Sequence, residues 1–505
     1  LKNPLLGTGP DTIKEMYPQW DIKLPEGISV EEAINQLKDN PNVEYAEPNG
    51  IVKIQMVPND PYYSSTGTWG QPYDDLWGIK KIQCEQAWDI SQGEGVVVAV
   101  IDTGVDYNHE DLAANIWINE DEIADNGIDD DGNGYIDDVR GWDFIGITYQ
   151  APIQDNDPMD GFGHGTHVAG TIAAVGNNNT GVIGVAPRAK IMAVKGLDDT
   201  GYGSDVDLAK CVVYAAVSGA KVLNNSWGGY GTSQVITNAF HYADSLGCVA
   251  VAAAGNVSGI TSRYRPANID TVIAVAASTE KDERCVFSNW GDKVDVTAPG
   301  VGSYEAPSYD YSSILSTMPD SSVIAAYNPS LKVANGYWRL AGTSMACPHV
   351  SGITALILSK TPQATTEEVR STLQLYSDDI GDPGKDQWFG YGRVNAYRAC
   401  LGPRVNLYIE SPMGNGYIRG MVNIRGTAFM EANFERYELW DIDKKTNART
   451  LITRSSSVVE NNILGAWDTV TAADGSHAIV LKVIDGSPTS ISKFIRERAG
   501  VGDGS

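Results

Sequence analysis

Short runs of apolar, often β-branched residues recur along the middle of the chain: GVVVAVI, KIMAVK, KVLNNS, CVAVAAA, TVIAVAA and KVDVTAP. Between some of them lie longer stretches with apolar positions at helical spacing, VDLAKCVVYAAVSG and SQVITNAFHYADSLG. Continuous apolar strands alternating with helices predict a mostly parallel sheet covered on both faces, an α/β doubly wound domain over residues 77–401. Residues 1–57 predict a smaller α/β unit. There PQWDIKLPEG offers a strand and a turn, and Ser29 with Glu32 forms a capping-box pattern. Val30, Ala33, Ile34 and Leu37 supply the apolar face of the helix that follows, Asn40-Pro41 ends it, and VEYAEP reads as a second strand. Residues 58–76 are rich in Pro, Gly, Ser and Asp and read as a linker. Beyond residue 402, VNLYIESP, GYIRGMVNIRGTA, YELWDID and SHAIVLKVID tend to alternate. Asn415-Gly416, Asp474-Gly475 and Asp485-Gly486 punctuate them, which predicts a β-sandwich over 402–505.

Composition narrows the function. The 505 residues carry 37 Lys and Arg against 64 Asp and Glu, a formal charge of −27. Phosphate recognition needs clustered cations, so nucleic acid and anionic membranes are poor partners. Such acidity suits a secreted protein or one that binds divalent cations. No apolar run reaches the 18 or more residues of a membrane span. The six cysteines, Cys84, Cys211, Cys248, Cys285, Cys347 and Cys400, contain no C-x-x-C pair, which argues against a structural zinc or thioredoxin-like site. No pairing among them is legible.

Three segments carry candidate chemistry. GVVVAVIDTGVDYNHEDL puts Asp102 at the C-terminal end of a predicted buried strand, where sites gather in open α/β sheets. Alone, it reads equally as a hydrogen-bonded turn residue. GFGHGTHVAGTIAA starts a small-residue helix at His164, with His167 three residues on. A metal pair lacks the Glu of the zinc-protease helix, and a buried structural histidine is the plain alternative for each. LAGTSMACPHVSGITALIL sets Ser344 at the start of a long apolar helix, with Pro348 in its first turn. A lone serine there would be an N-cap. Together the three supply what serine chemistry needs. The hydroxyl is a weak nucleophile until an imidazole takes its proton, and a buried carboxylate orients and stabilises that imidazole.

The segments VIDTGVD, HGTHVAG and GTSMACPHVSG, in that order, resemble the three signatures of the subtilisin-like serine proteases, the subtilases. The resemblance spans about residues 80–400 and implies Ser344 as nucleophile, His164 as general base and then acid, and Asp102 as its orienter. In VAAAGN, Asn256 follows an apolar strand. Its amide would donate to the oxyanion of the tetrahedral intermediate, with the Ser344 N–H as second donor. The resemblance also implies that substrate lies extended between Ser226-Trp227-Gly228-Gly229 and Gly201-Tyr202-Gly203. Trp227 would then lie at the principal side-chain pocket, unless it packs in the core. No acidic residue is placed there to demand Lys or Arg, so apolar or aromatic side chains are expected.

The acidic stretch DNGIDDDGNGYIDDVRGWDF predicts calcium from the residues themselves. Nine carboxylates lie between Glu120 and Asp138 with no Lys or Arg among them. Asp129, Asp131 and Asn133 follow the first three ligand positions of an EF-hand loop, Gly134 sits at its sharp turn, Tyr135 offers a carbonyl, and Asp137 comes ninth. The twelfth position holds Arg140 instead of Glu, so Asp138 or Asp125 would close the site; a solvated acidic loop is the alternative. The resemblance implies a second calcium site at the carbonyls of Val175 and Val182, the stretch Asn177–Asn179, and Asp111.

Residues 1–57, NPNVEYAEPN above all, resemble a subtilase propeptide, which implies an intramolecular inhibitor cut by the enzyme itself near Ile51–Pro58. His477 and Cys347 read as packing residues. The whole is therefore a secreted, monomeric, calcium-stabilised serine endopeptidase made as a zymogen and acting on proteins and peptides. One alternative is a catalytically silent member that binds or adheres, which nothing would force to keep Asp102, His164, Asn256 and Ser344. Another is an esterase or lipase, whose serine sits in G-x-S-x-G and precedes its Asp and His; here Ser344 lies in GTSMA and comes last.

Overall fold

The computed structural model describes Ile34, Leu37, Lys38 and residues 57–146, 148, 150–302, 313–403, 405–412, 418–432, 434–446, 448–485 and 493–501, the last stretch by its backbone. Residues 1–55 form one compact unit and residues 56–505 another. In the first unit Ile34, Leu37 and Lys38 are helical. The two strands expected there lie outside the described residues.

The centre of the second unit is a sheet of seven parallel strands: β1 Val97–Asp102, β2 Gly141–Asp143, β3 Lys190–Lys195, β4 Val222–Asn225, β5 Val249–Ala253, β6 Val272–Ser278 and β7 Val296–Pro299, ordered β2-β3-β1-β4-β5-β6-β7. Six match the apolar runs of the sequence. The seventh, β2, spans only Gly141–Asp143, too short to show a period. The chain fills the β3 side of β1 first and then crosses to its β4 side, so the β1/β4 boundary is a topological switch point, where sites collect in open sheets.

Alternation along each strand divides the core in two. Val98 and Val100 face α1 His164–Ala173 and α4 Thr343–Lys360, packing with Val168, Ile172, Met345, Val350 and Ile353. Ala99 and Ile101 face α2 Asp205–Val217 and α3 Gln234–Ser245, packing with Leu208, Val212, Ile236 and Phe240. The α/β doubly wound architecture is thus present with helices on both faces. Glycine permits the closest approach: a Cβ on Gly165 of α1 would come within 3.1 Å of the Asp102 Cβ.

Two antiparallel sheets follow α5, Thr366–Tyr376. One holds Val405–Ser411, Met421–Met430 and Val459–Asp468; the other holds Arg449–Ser455, Phe434–Asp443, Gly475–Asp485 and Lys493–Val501. Leu407, Ile424 and Leu464 of the first share a core with Leu439, Leu481 and Val483 of the second, as in a sandwich. The first strand docks on α5, where the Leu407 N–H donates to Ser371 Oγ at 3.1 Å. His477 is buried, its Nδ1 2.7 Å from Asp441 Oδ1. All six cysteines are buried free thiols.

The segment 58–76 is packed. Tyr63 lies in the core and Asp75 is buried, accepting from the Thr68 N–H and Gln71 Nε2.

Candidate active site

Asp102 closes β1 and is fully buried. Its Oδ1 accepts the Thr103 N–H at 2.8 Å and lies 2.7 Å from His164 Nδ1. His164 is the first residue of α1, its side chain 18% exposed. Burial pulls the imidazole pKa down, but the charge and hydrogen bond of Asp102 outweigh it and hold the pKa above the ordinary histidine value.

A buried residue that the sequence reading passed over holds this pair. Asp160 Oδ1 accepts Thr103 Oγ1 at 2.9 Å and the Gly163 N–H at 2.7 Å; its Oδ2 accepts the N–H and hydroxyl of Thr166 at 2.9 and 2.7 Å. Thr103 Oγ1 in turn accepts the Gly165 N–H at 3.0 Å. One carboxylate thereby caps α1, favoured by the helix dipole, and ties it to the turn after Asp102. Its place four residues before His164, ahead of a glycine-spaced stretch, was the available signal.

Ser344 is the second residue of α4. Its hydroxyl donates to the Ser226 carbonyl, just past β4, at 2.9 Å. Pro348 is not in the first turn, as the sequence suggested, but sixth in the helix. There it lacks the N–H that would bond the Ser344 carbonyl four residues back. The Ser226 hydroxyl replaces it, donating to that carbonyl at 3.0 Å. Asn224 Nδ2 reaches Ser226 Oγ at 3.0 Å, and Ser351 Oγ reaches Asn224 Oδ1 at 2.8 Å. A buried polar chain thus fastens the end of β4 to the serine helix. Cys347 belongs to it: its Sγ approaches Asn224 Oδ1, and burial pushes its thiol up to about 12.

Asn256 follows β5 on an exposed turn. Its Oδ1 accepts both the N–H of Thr343, at 2.9 Å, and its hydroxyl, at 2.8 Å. Two donors on the oxygen assign the amide orientation and leave Nδ2 as the outward end. The Asn289 side chain clasps the same turn, donating to the Ala254 carbonyl and accepting from the Val257 and Gly259 N–H groups.

The structure therefore brings Asp102 and His164 into contact, and both Ser344 and Asn256 to the start of α4, which packs against α1. The imidazole bonds Asp102, whereas the Ser344 hydroxyl bonds Ser226.

Ser226 is buried beside Ser344, Trp227 is half-buried with its ring 6.5 Å from Phe240, and Gly228 is exposed. Gly229–Tyr230 pairs antiparallel with Tyr264–Arg265. Gly201, Tyr202 and Gly203 belong to a loop closed by the Asp198 N–H on the Tyr202 carbonyl at 2.8 Å; Tyr202 is 65% exposed.

In the acidic loop, Glu122, Asp129 and Asp131 each bring a carboxylate oxygen within 4.8 Å of the others. Glu122 was not among the ligands chosen from sequence, because it precedes the EF-hand spacing. Asp129 and Asp131 accept the Asn133 N–H, as a tight loop of this spacing requires. Asp137 accepts the Asn126 and Gly127 N–H groups, Asp138 accepts from Asn119, Asn133 and the Tyr214 hydroxyl, and the Tyr135 ring stacks edge-on with Trp142, Phe144 and Tyr214.

At the second expected site Asp111 is fully buried. It accepts Asn178 Nδ2 at 2.6 Å and the Val182 N–H at 2.8 Å, and its backbone carbonyl accepts the Val175 N–H at 2.9 Å. Asn177 accepts the Asn59 N–H at 3.3 Å, and its own N–H donates to Asp60 Oδ2 at 2.9 Å. Burial pushes the Asp111 carboxyl up to about 7, and the charge of Asp60 adds to the shift. Asp60 is itself fully buried with Oδ1 unpartnered. Two buried carboxylates with an orphaned oxygen fit a hard cation. Asp60 lies in the segment read as a linker, so sequence alone did not supply it.

The parallel sheet, with Asp102 closing β1 and Ser226 and Asn256 just past β4 and β5, defines a subtilisin-like α/β fold. The profile described as "Subtilase family" matches residues 93–392, and that of the "Fervidolysin N-terminal prodomain" matches residues 21–49. The chain is 38% identical over 372 residues to the thermophilic serine proteinase of Bacillus sp. strain AK1, covering 74% of this chain and 76% of that one. It is also 38% identical to thermitase of Thermoactinomyces vulgaris, covering 68% of this chain and 99% of thermitase. Among solved structures, a protease from Pseudoalteromonas arctica matches with a TM-score of 0.54 and 34% identity, over 68% of this chain and 98% of that one. The chain belongs to the subtilase family and is a serine endopeptidase.

Proposed function

We propose that Ser344, His164, Asp102 and Asn256 carry out peptide-bond hydrolysis in an exported, calcium-stabilised zymogen. The observation that carries this reading is the 2.7 Å contact between a fully buried Asp102 and an imidazole at the N-terminus of the helix packed against that of Ser344. With substrate bound, the Ser344 hydroxyl leaves the Ser226 carbonyl, gives its proton to His164 Nε2 and attacks the substrate carbonyl carbon. Serine–histidine geometry is commonly loose before substrate arrives. The developing oxyanion takes hydrogen bonds from Asn256 Nδ2 and the Ser344 N–H. His164 then protonates the departing amine, and water repeats the sequence on the acyl-enzyme. A peptidyl diphenyl phosphonate tests this. It is expected to label Ser344 stoichiometrically and abolish peptidase activity; peptidase activity that persists in Ser344→Ala would overturn it.

Asn256→Leu keeps much of the side-chain volume but removes the donor. Steady-state kinetics are expected to show kcat lower by about 10²–10³, the cost measured for the corresponding subtilisin asparagine, with KM little changed.

Residues 1–57 act as the propeptide in this reading, supported by the prodomain match at 21–49. Their release near Ile51–Pro58 depends on Ser344, so purified Ser344→Ala is expected to keep the segment attached while the wild type loses it.

Calcium is proposed at Glu122, Asp129 and Asp131, and between Asp60 and Asp111 with carbonyls of the 175–182 loop. Bound there, the cation neutralises carboxylates that otherwise repel one another. The acidic composition and these sites suit the millimolar calcium outside cells. No helix among the described residues is long and apolar enough to cross a membrane. A ligand present at about a hundred times its dissociation constant stabilises by about 2.7 kcal/mol. Chelation is therefore expected to lower Tm by several degrees in calorimetry, and Asp60→Asn to remove part of that difference.

A further inference from the structure

The turn that carries Asn256 is held from outside its own stretch of sequence. Asn256 is exposed and Val257 is 65% exposed, so apolar burial does not fix this part of the chain. A second asparagine, Asn289, reaches the turn from the segment between β6 and β7, and it is only 1% exposed. Its Nδ2 donates to the Ala254 carbonyl at 2.8 Å, and its Oδ1 accepts the Val257 and Gly259 N–H groups at 3.1 and 2.8 Å. Its own N–H donates to the Gly255 carbonyl at 2.8 Å. One residue thus grips the chain on both sides of Asn256.

The amide oxygen has two lone pairs, and N–H groups take both. A buried amide is costly unless its hydrogen bonds are made, so side chain and turn hold each other. Neighbouring backbone adds to the clasp: the Ser258 N–H donates to the Phe287 carbonyl at 2.7 Å, and the Trp290 N–H to the Gly259 carbonyl at 2.9 Å. Gly255 lets the amide in. Its φ is 108°, and a Cβ there would collide with Asn289 Nδ2. From the other side Thr343 donates to Asn256 Oδ1. The Asn256 side chain is therefore turned by the start of α4, while its backbone is placed by Asn289.

We infer that Asn289 is a positioning residue for peptide-bond hydrolysis, acting on turnover through the placement of Asn256. The inference rests on the oxyanion role proposed above for Asn256 Nδ2. That donor must meet an oxygen that becomes charged only as the transition state forms, and a misplacement of about 1 Å can cost about 100-fold in rate. Without the Asn289 amide, the Ala254 carbonyl and the Val257 and Gly259 N–H groups lose their partner, and the exposed turn is free to move. A purely structural asparagine would instead change the amount of folded enzyme and leave turnover per folded molecule as it was.

The test is a double-variant cycle on kcat with one peptide substrate, each rate normalised to folded enzyme by circular dichroism. Asn289→Ala is expected to lower kcat by about 10- to 100-fold with KM little changed. In an Asn256→Leu background the same substitution is expected to change kcat by no more than about twofold, because the donor it positions is already gone. Asn289→Ser keeps a hydroxyl able to accept one N–H. It is expected to fall between Asn289→Ala and wild type, and it carries the cycle if the alanine variant does not fold. An unchanged kcat in the folded variant that carries the cycle overturns the inference. So does an equal loss with and without Asn256, since the two residues would then act independently. An Asn256→Leu variant that turns over as fast as wild type would instead remove the oxyanion reading on which the inference stands.

Discussion

Ser344→Ala is expected to lose about 10⁶-fold in kcat, His164→Ala about as much, and the double variant no more than either, the pattern measured in subtilisin itself. The reason is that, in the proposed mechanism, the alcohol and the imidazole act as one unit. Without His164 the Ser344 hydroxyl has no base to take its proton; without Ser344 the base has no proton to take. Asn256 and the groove remain in every case, so residual turnover above water is expected from oxyanion stabilisation and substrate binding alone. Active-site titration followed by stopped-time peptide assays checks this. A double variant much slower than either single one would mean that the two residues contribute independently. That would conflict with their placement at the N-termini of two helices packed against each other.

Asp102→Asn is expected to cost about 10⁴-fold in kcat, because an amide at this position favours the wrong imidazole tautomer. Its pH signature is more specific than its size. In its proposed role as base His164 must be neutral, so the rate is expected to rise with pH through the imidazole pKa. In the wild type Asp102 holds that pKa above the ordinary histidine value against the opposing pull of burial. Removing the carboxylate leaves only the charge of Asp160 to oppose burial, and the acid limb of the kcat/KM profile should move to lower pH while its plateau falls. A purely structural role for Asp102 would lower the plateau through loss of folded enzyme and leave the limb where it was. The pH–rate profile, normalised to folded protein by circular dichroism, separates the two outcomes.

The legible parts of this chain are those whose physics is local. Period-two and unbroken apolar runs marked six of the seven central strands, since a strand buried on both faces has no polar side to interrupt it. The three-residue β2 offered no period and escaped. Asp102, His164 and Ser344 stood out because glycines and small residues flank them, as close backbone packing demands. The supporting residues were hidden because their role is set by what they meet across the fold. Asp160 is an ordinary aspartate until it meets Thr103, 57 positions away. Asn224 is a polar residue at a strand end until Ser351, 127 positions on, donates to it. Glu122 precedes the loop whose spacing suggested a metal, and Asp60 sits in a stretch whose composition reads as linker.

From sequence alone came the doubly wound sheet, the family, and the order of the candidate catalytic residues, because alternation, turn chemistry and motif spacing act over a few neighbouring residues. Tertiary structure decided which face of each strand meets which helix, how Pro348 frees the Ser344 carbonyl for Ser226, and how Asn289 clasps the turn that carries Asn256. Each of these depends on contacts between segments far apart in the chain, and only the packed sheet brings such segments within hydrogen-bond distance.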